Sequence, residues 1–421
     1  MKKEQNVLER VYEPRRLLEA WQQVKRNAGA AGVDQMTVDE FEDRKEQLFP
    51  MIHKNLKAGT YRFKPARRKE IPKRDGKGKT RKLGIPVVMD RIVSQSVHTV
   101  FQEIFDPEFT ESNYGFRRGK SQHQAIGYVH ELVKAGYRWC ASIDLKSFFD
   151  EIPHNLILKL IRRRIADEWL VTLIARALKA GVLVNGQFEK TPKGAPQGSP
   201  LSPILSNIVL NELDQELERR GLHYARWADD FVILVRSRRS AERVMASTIR
   251  YLEEELGLLV NREKSKVAPI EEVTFLGFRI IRNKISMSPE SYARFKDRVK
   301  RMTHRNNPKS MEQIVDELNL FLRGWGNYFR IQQFHKVFTS LDQWIQQRLR
   351  SMQLAKWKKP KRFQRAMINA GVPQHYAQKV WVAMSSWRSL ERNEVQRVLN
   401  LQWFRNFGLI FLSDYSYTST S

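Results

Sequence analysis

Apolar positions recur at helical spacing through the first sixty residues. Pro14 opens a run with Leu17, Leu18, Trp21 and Val24 on one side, and Gly29-Ala30-Ala31-Gly32 interrupts it. Thr37 then begins a short helix, with Glu40 three residues on as in a capping box and Phe41 as an apolar anchor. Ile71-Pro72 and Leu83-Gly84-Ile85-Pro86 read as short strand pieces around the turn signal Asp75-Gly76-Lys77-Gly78. Residues 88–135 are mainly helical, 139–145 form a buried strand with an acid near its end, and 154–180 return to helix. A segment rich in proline and glycine at 192–200 precedes a helix from Pro203, whose apolar face holds Leu205, Ile208, Val209 and Leu213.

Two aromatic or β-branched runs, 222–227 and 231–235, flank Ala228-Asp229-Asp230 and predict a hairpin. A helix over 240–256 and a strand over 273–279 follow, and the pattern is then helical to about residue 400. The order strand, helix, helix, hairpin, helix, strand predicts an α+β fold: a small antiparallel sheet with helices on one face.

Charge changes this picture. Lys and Arg number 74 against 46 acids, a net of +28. Residues 1–100 carry +10, 101–278 carry +1 and 279–421 carry +17. A near-neutral middle between basic ends suits a polyanion held over a central site with its own carboxylates. Eleven of the 21 residues from Arg62 to Lys82 are basic, so the first hairpin belongs to that surface. With 41% apolar residues the chain has too much core material for disorder. No run approaches a membrane span, and no apolar signal segment opens the chain, so a cytoplasmic location is expected. A single cysteine, Cys140, excludes an internal disulfide framework or a thiolate zinc cluster.

The chemistry points to three acids. Asp144 ends a buried strand, and Asp229 and Asp230 sit in a tight turn. An Asp-Asp pair suits a turn on conformational grounds alone. Between apolar strands, however, adjacent carboxylates need cations, and hard-oxygen donors suit paired Mg2+ ions in nucleotidyl transfer. Asp144 and Asp229 are the expected metal ligands, with Asp230 beside them.

Further segments carry a resemblance. Arg68-Lys69-Glu70-Ile71-Pro72-Lys73 and Arg81-Lys82-Leu83-Gly84-Ile85-Pro86 come first, then Tyr114-Gly115-Phe116-Arg117 and Asp144-Leu145-Lys146-Ser147-Phe148-Phe149-Asp150. Pro196-Gln197-Gly198-Ser199-Pro200-Leu201-Ser202-Pro203, Ala228-Asp229-Asp230, Asn261-Arg262-Glu263-Lys264-Ser265 and Phe275-Leu276-Gly277-Phe278 follow. Arg323-Gly324-Trp325-Gly326-Asn327-Tyr328-Phe329 completes the series. In this order and spacing they resemble the bacterial group II intron-encoded reverse transcriptases, or maturases, over nearly the whole chain.

The resemblance implies a right-hand polymerase: N-terminal extension and part of the fingers at 1–100, remaining fingers and palm at 101–278. It implies a helical thumb/maturase domain at 279–375 and a basic RNA- or DNA-binding extension at 376–421. Asp144, Asp229 and Asp230 would be the palm acids. Lys73 and Arg81 resemble the residues that hold the incoming triphosphate; contact with template backbone alone is the alternative. Gln197 resembles a residue touching nucleotide or template. Phe149 resembles the bulky gate against a 2′-hydroxyl, where patterning alone reads it as a core aromatic. Lys264 resembles a lysine beside the leaving pyrophosphate, and Phe275-Leu276-Gly277-Phe278 the strand gripping the primer end. Trp227 stands where family members usually have tyrosine.

Implied cofactors are two Mg2+ ions, with Mn2+ as substitute, and dNTP substrates. Implied partners are structured intron RNA or another RNA template, a DNA or RNA primer and target DNA, with no membrane. Oligomeric state stays open. Lys356-Trp357-Lys358-Lys359-Pro360-Lys361-Arg362 is the foremost candidate for a backbone-contacting patch. With one cysteine, the HNH-type nuclease of many relatives is not expected. The implied function is primer extension with dNTPs on RNA, with help to intron splicing and mobility. A nonenzymatic splicing factor, or a polymerase recruited to host repair or defence, is the alternative.

Overall fold

The computed structural model describes residues 3–72, 80–195, 198–357, 359–369, 372–382 and 393–415. The fold is α+β and divides into two compact units, Met1–Val273 and Thr274–Ser421.

In the first unit, helix Val38–Lys57 starts at the predicted cap. Thr37 accepts from the Glu40 amide at 3.1 Å while the Glu40 carboxylate accepts from the Thr37 amide at 2.8 Å. The helix is longer than expected because it runs through Pro50. An interior proline costs about 3 kcal/mol. Burial of Leu48, Ile52 and Leu56 offsets it, at roughly 1.5–3 kcal/mol for each large aliphatic chain.

Strands β1 (Ala66–Pro72) and β2 (Thr80–Ile85) form the basic hairpin, with Ile71 opposite Arg81. Strand β3 (Trp139–Asp144) is the expected buried strand. The single helix expected over 154–180 is two, His154–Arg164 and Glu168–Leu178. The break has two causes: Asp167 caps the second helix through the Leu170 amide at 3.1 Å, and Glu4 pairs with Ile165. Short strands β4 (Val182–Val184) and β5 (Gln187–Glu189) add to the first hairpin, giving the order β2-β1-β4-β5.

Helix Ser202–Arg219 leads into β6 (His223–Trp227) and β7 (Asp230–Val235), the predicted hairpin. After helix Arg238–Arg250 comes β8 (Lys266–Pro269), giving an antiparallel sheet ordered β6-β7-β3-β8. Its inner residues Ala141, Ile143, Phe231 and Ile233 join a core shared with the N-terminal helices.

The second unit corrects the strand expected over 273–279. Leu276 and Gly277 have φ of 50° and 78°, so 275–278 is a tight turn, leading to hairpin β9 (Phe278–Ile281) and β10 (Lys284–Met287). The Tyr328 hydroxyl donates to the Leu276 carbonyl at 2.8 Å, tying helix Met311–Phe329 to that turn. Trp325 packs against Phe295 and Phe329, each ring centre 4.4 Å away, as a structural anchor. Among the described residues no helix is long and apolar enough to cross a membrane.

Candidate active site

Asp144 and Asp230 are register partners across β3 and β7. Residues directly opposite in such a ladder have Cβ atoms about 4.5–5.5 Å apart. Trp227 pairs with Asp230, so Ala228 and Asp229 alone make the loop, and Ala228 takes the left-handed φ of 56° that closes it. Asp229 is half-buried and Asp230 exposed. Burial is the main cause that raises the Asp229 carboxyl above its ordinary range. Its own backbone amide and the guanidinium charges of Arg81 and Arg226 oppose this, and the neighbouring negative charge of Asp144 reinforces it. Asp144, Asp229, Arg81 and Arg226 therefore share one electrostatic environment.

The backbone of Asp144 is fixed on both sides. Its N–H donates to Ser265 Oγ at 3.0 Å, and its carbonyl accepts from the Asn261 amide at 2.8 Å. This places Lys264 Nζ 3.4 Å from Asp144 Oδ2. Lys266 points elsewhere, donating to the Glu272 carbonyl at 3.0 Å. Both partners of the Lys264 pair are solvent-exposed, so the contact contributes little to stability and leaves the ammonium free to exchange partners.

Lys73 and Gln197 lie outside the described residues. Their flanks are defined. Arg81 is exposed near the tip of the basic hairpin. Gly198 has a φ of +108°, and a Cβ there would lie 2.3 Å from the Gly84 carbonyl oxygen, so the glycine permits close approach to β2. On the other flank, Ala195 donates to the Phe149 carbonyl at 2.7 Å and Gly194 to that of Ile152 at 2.8 Å. Phe149 itself is half-buried, with its ring 5.4 Å from that of Phe148 and packed against the main core.

Behind the acidic turn lies a network that the sequence reading missed. Arg226, fully buried in β6, donates from Nε to Asp214 Oδ1 at 2.8 Å. Its Nη1 donates to Asn207 Oδ1 and to the Ala228 carbonyl, both at 3.0 Å. Asn207 donates onward to the Gly115 carbonyl at 2.8 Å. A Cβ on Gly115 would lie 2.3 Å from the Ala228 nitrogen, so the Tyr-Gly-Phe-Arg segment backs directly onto the turn. The signal for this network was a charged residue at an inward position of an otherwise apolar strand, matched by an acid on an apolar helix face.

Cys140 lies on the Asp144 side of β3, and burial, followed by the charge of Asp230, pushes its thiol up to about 12. It is an inert core thiol. Of the C-terminal basic run, Lys358 is outside the described residues. Lys359, Lys361 and Arg362 are exposed, whereas Lys356 is half-buried and donates to the Lys309 carbonyl, so it is less available than expected.

The donor set suits magnesium. Among the described residues no group of three or more His, Cys, Asp or Glu is arranged to hold a metal ion by itself. Magnesium rarely uses such a cage; it is usually held by one or two carboxylates, with water and substrate phosphates filling its octahedron. Asp144 and Asp229, two carboxylates in one electrostatic environment, fit such a requirement.

Residues 71–280 match the reverse transcriptase (RNA-dependent DNA polymerase) family, and residues 292–368 match the group II intron, maturase-specific domain. Protein YkfC of Escherichia coli (strain K12) is 33% identical over 321 residues, covering 66% of this chain and 84% of YkfC. The group II intron-encoded protein LtrA of Lactococcus lactis subsp. cremoris is 34% identical over 250 residues, 59% of this chain and 40% of LtrA. The match thus spans two-fifths of the length of LtrA. A structure of apo telomerase from Candida tropicalis overlaps 82% of this chain and 62% of its own, at 12% identity and a TM-score of 0.46, too weak a likeness to carry an argument. The ordered motifs, the two family matches and the identity with YkfC together place this chain in the group II intron-type reverse transcriptase/maturase family.

Proposed function

We propose that the chain is an RNA-directed DNA polymerase that extends a primer with dNTPs on an RNA template by two-metal nucleotidyl transfer. The observation that carries this reading is the meeting of Asp144, Asp229 and Arg81 in one electrostatic environment. Two carboxylates and a guanidinium are what a triphosphate and its magnesium ions need, the guanidinium binding phosphate oxygens and the carboxylates holding the metals. The first unit supplies fingers and palm, and the helical second unit the thumb/maturase region.

In the reaction the primer 3′-hydroxyl gives its proton to solvent, its oxygen attacks the α-phosphorus, the bond to the bridging oxygen breaks, and pyrophosphate leaves with that electron pair. Bound magnesium would lower the 3′-hydroxyl pKa and neutralise the leaving charge. Asp144 and Asp229 would hold the metals through their carboxylates, and the Arg226 network keeps the turn from shifting. Lys264, next to Asp144, would exchange its carboxylate for the leaving phosphate; its 3.4 Å contact with Asp144 supports this reading. Phe149, anchored by its neighbours on both sides, is proposed to face the sugar.

Family membership extends the reading to RNA: a basic surface on an intron-type maturase suits binding of a parent intron RNA and help in its splicing and mobility. The decisive experiment is primer extension by the purified chain with an RNA template, dNTPs and Mg2+. Template-dependent DNA synthesis that stops when the metal is chelated supports the assignment. Binding of RNA without any synthesis, across Mg2+ and Mn2+, sinks it in favour of a nonenzymatic splicing factor.

A further inference from the structure

A depression on the first unit lies away from the acids. It is an open basin of about 610 Å3, lined by the entry to β6, the exit of β7 and residues of helix Arg238–Arg250. Arg220, Arg236 and Arg243 converge on it with His223, Ser240 and Ser247, and no acidic residue lines it. His223 and Val235 sit at the opposite end of the hairpin from Asp229. Six residues of strand at about 3.3 Å each separate them from the turn by roughly 20 Å. The basin is therefore distinct from the catalytic centre.

Its charge is uncompensated by design of the surroundings. Nearby carboxylates are committed to other arginines, Glu216 to Arg219 at 2.8 Å and Glu242 to Arg238 at 2.9 Å. Among the described residues none of the three basin arginines pairs with a carboxylate. Arg220 spends one N–H on Ser247 Oγ at 2.6 Å, which orients its fork and leaves further donors. Arg236 stacks 4.8 Å from the centre of the Tyr137 ring, whose edge meets His223 at 4.7 Å. Two arginines are thus held in place by neutral partners around a concavity, in the near-neutral part of the chain. Planar donor forks fixed without a counter-charge suit phosphate oxygens.

We propose that this basin binds a nucleic-acid strand by its backbone phosphates, outside the catalytic centre. The proposal rests on the family's action on nucleic acids and not on polymerisation. The strand would be held along the hairpin's far end, extending the grip of the protein beyond the template at the acids.

The test uses the full chain and R236Q/R243Q, with a short labelled single-stranded RNA and a DNA of the same sequence, by fluorescence anisotropy across salt concentrations. Loss of two phosphate contacts should weaken binding at least fivefold and flatten the slope of log affinity against log salt by about 0.7 per contact. R236K/R243K, which keeps the charges, guards against a folding defect and should recover most of the slope. Binding is read without turnover, so an inactive parent leaves the test intact. Unchanged affinity and slope for both nucleic acids in R236Q/R243Q overturn the proposal. Pyrophosphate that competes with the strand on the parent but not on R236Q/R243Q overturns it too, in favour of a free-phosphate site.

Discussion

Arg226 donates to the carbonyl oxygen of Ala228, the left-handed residue that immediately precedes Asp229. The donor is fully buried, and its charge is balanced by Asp214, also fully buried. A guanidinium spanning a helix acid, a helix amide and the turn carbonyl fixes the turn in three directions. Such an arrangement stabilises little on its own, because two charges have left water. What it supplies is position.

This separates two effects of mutation. R226M leaves Asp214 buried without a partner, which should cost about 3–5 kcal/mol. R226M/D214L removes both charges and should recover much of that stability. Primer extension should not recover with it, because the Ala228 carbonyl still lacks its donor. Denaturant melts beside single-turnover extension check this. Full activity in the stable double variant would show that the pair serves folding alone.

Gly115 offers a test from the other side of the turn. Its missing Cβ leaves room for the Ala228 backbone, which cannot yield as a flexible side chain could. G115A should lower the rate of extension tenfold or more, about 1.4 kcal/mol of barrier per tenfold, with helical content retained. Gly127 in helix Gln122–Lys134 has nothing within 4 Å of an added Cβ. G127A should stabilise by roughly 0.5–1 kcal/mol and leave extension unchanged. Equal behaviour of the two alanine variants would contradict the close-approach argument.

D229N keeps the size of the side chain and removes one charge from the acid cluster. Extension should fall by roughly a hundredfold or more, about 2.7 kcal/mol of transition-state stabilisation, while RNA affinity stays at the parent value. Parent-like extension would reject the metal role of Asp229.

Phe149→Ala tests the gate. If the ring faces the sugar, kcat/KM for ribonucleotides should rise relative to deoxynucleotides at least tenfold. The ring also packs against Phe148 and the core, so some loss of stability accompanies the change. A folded, active variant with an unaltered ratio would leave Phe149 as a core aromatic.

The elements near the acids were legible because local signals agreed there. Alternation, turn residues and the Thr37-Glu40 box each gave the hairpins and the helix start. Failures came where distant residues decide. Nothing local announces that Glu4 pairs with Ile165 and splits a helix, or that β4 and β5 extend the basic sheet. The turn at Leu276 and Gly277 looked like a strand because its flanking phenylalanines are apolar; the Tyr328 hydroxyl, fifty-two residues on, holds it. The register of Asp144 against Asp230 was likewise beyond sequence spacing, and so was the Arg226 network, whose members are 113 residues apart at the extremes, Gly115 to Ala228.

Asp90, in the first turn of helix Val88–Phe105, accepts from the Tyr61 hydroxyl at 2.8 Å and from the Lys64 amide at 2.9 Å. Burial outweighs both and pushes its carboxyl from 3.8 up to about 7. Between those two values the folded chain holds a proton that the unfolded chain has released. Stability from this group is therefore greatest at acid pH and declines as pH rises, levelling off above about 7. Other carboxylates act oppositely: the arginines around Glu103 hold it below its ordinary range, so total stability mixes both signs. D90N isolates the effect. Asparagine still accepts from Tyr61, and its lost contact with Lys64 costs the same at every pH. The stability of the parent relative to D90N should thus fall with rising pH across that window, with a slope of up to about 1.4 kcal/mol per pH unit. Urea melts of both proteins at several pH values measure it. A difference that stays constant with pH would mean that Asp90 is ionised in the folded chain throughout.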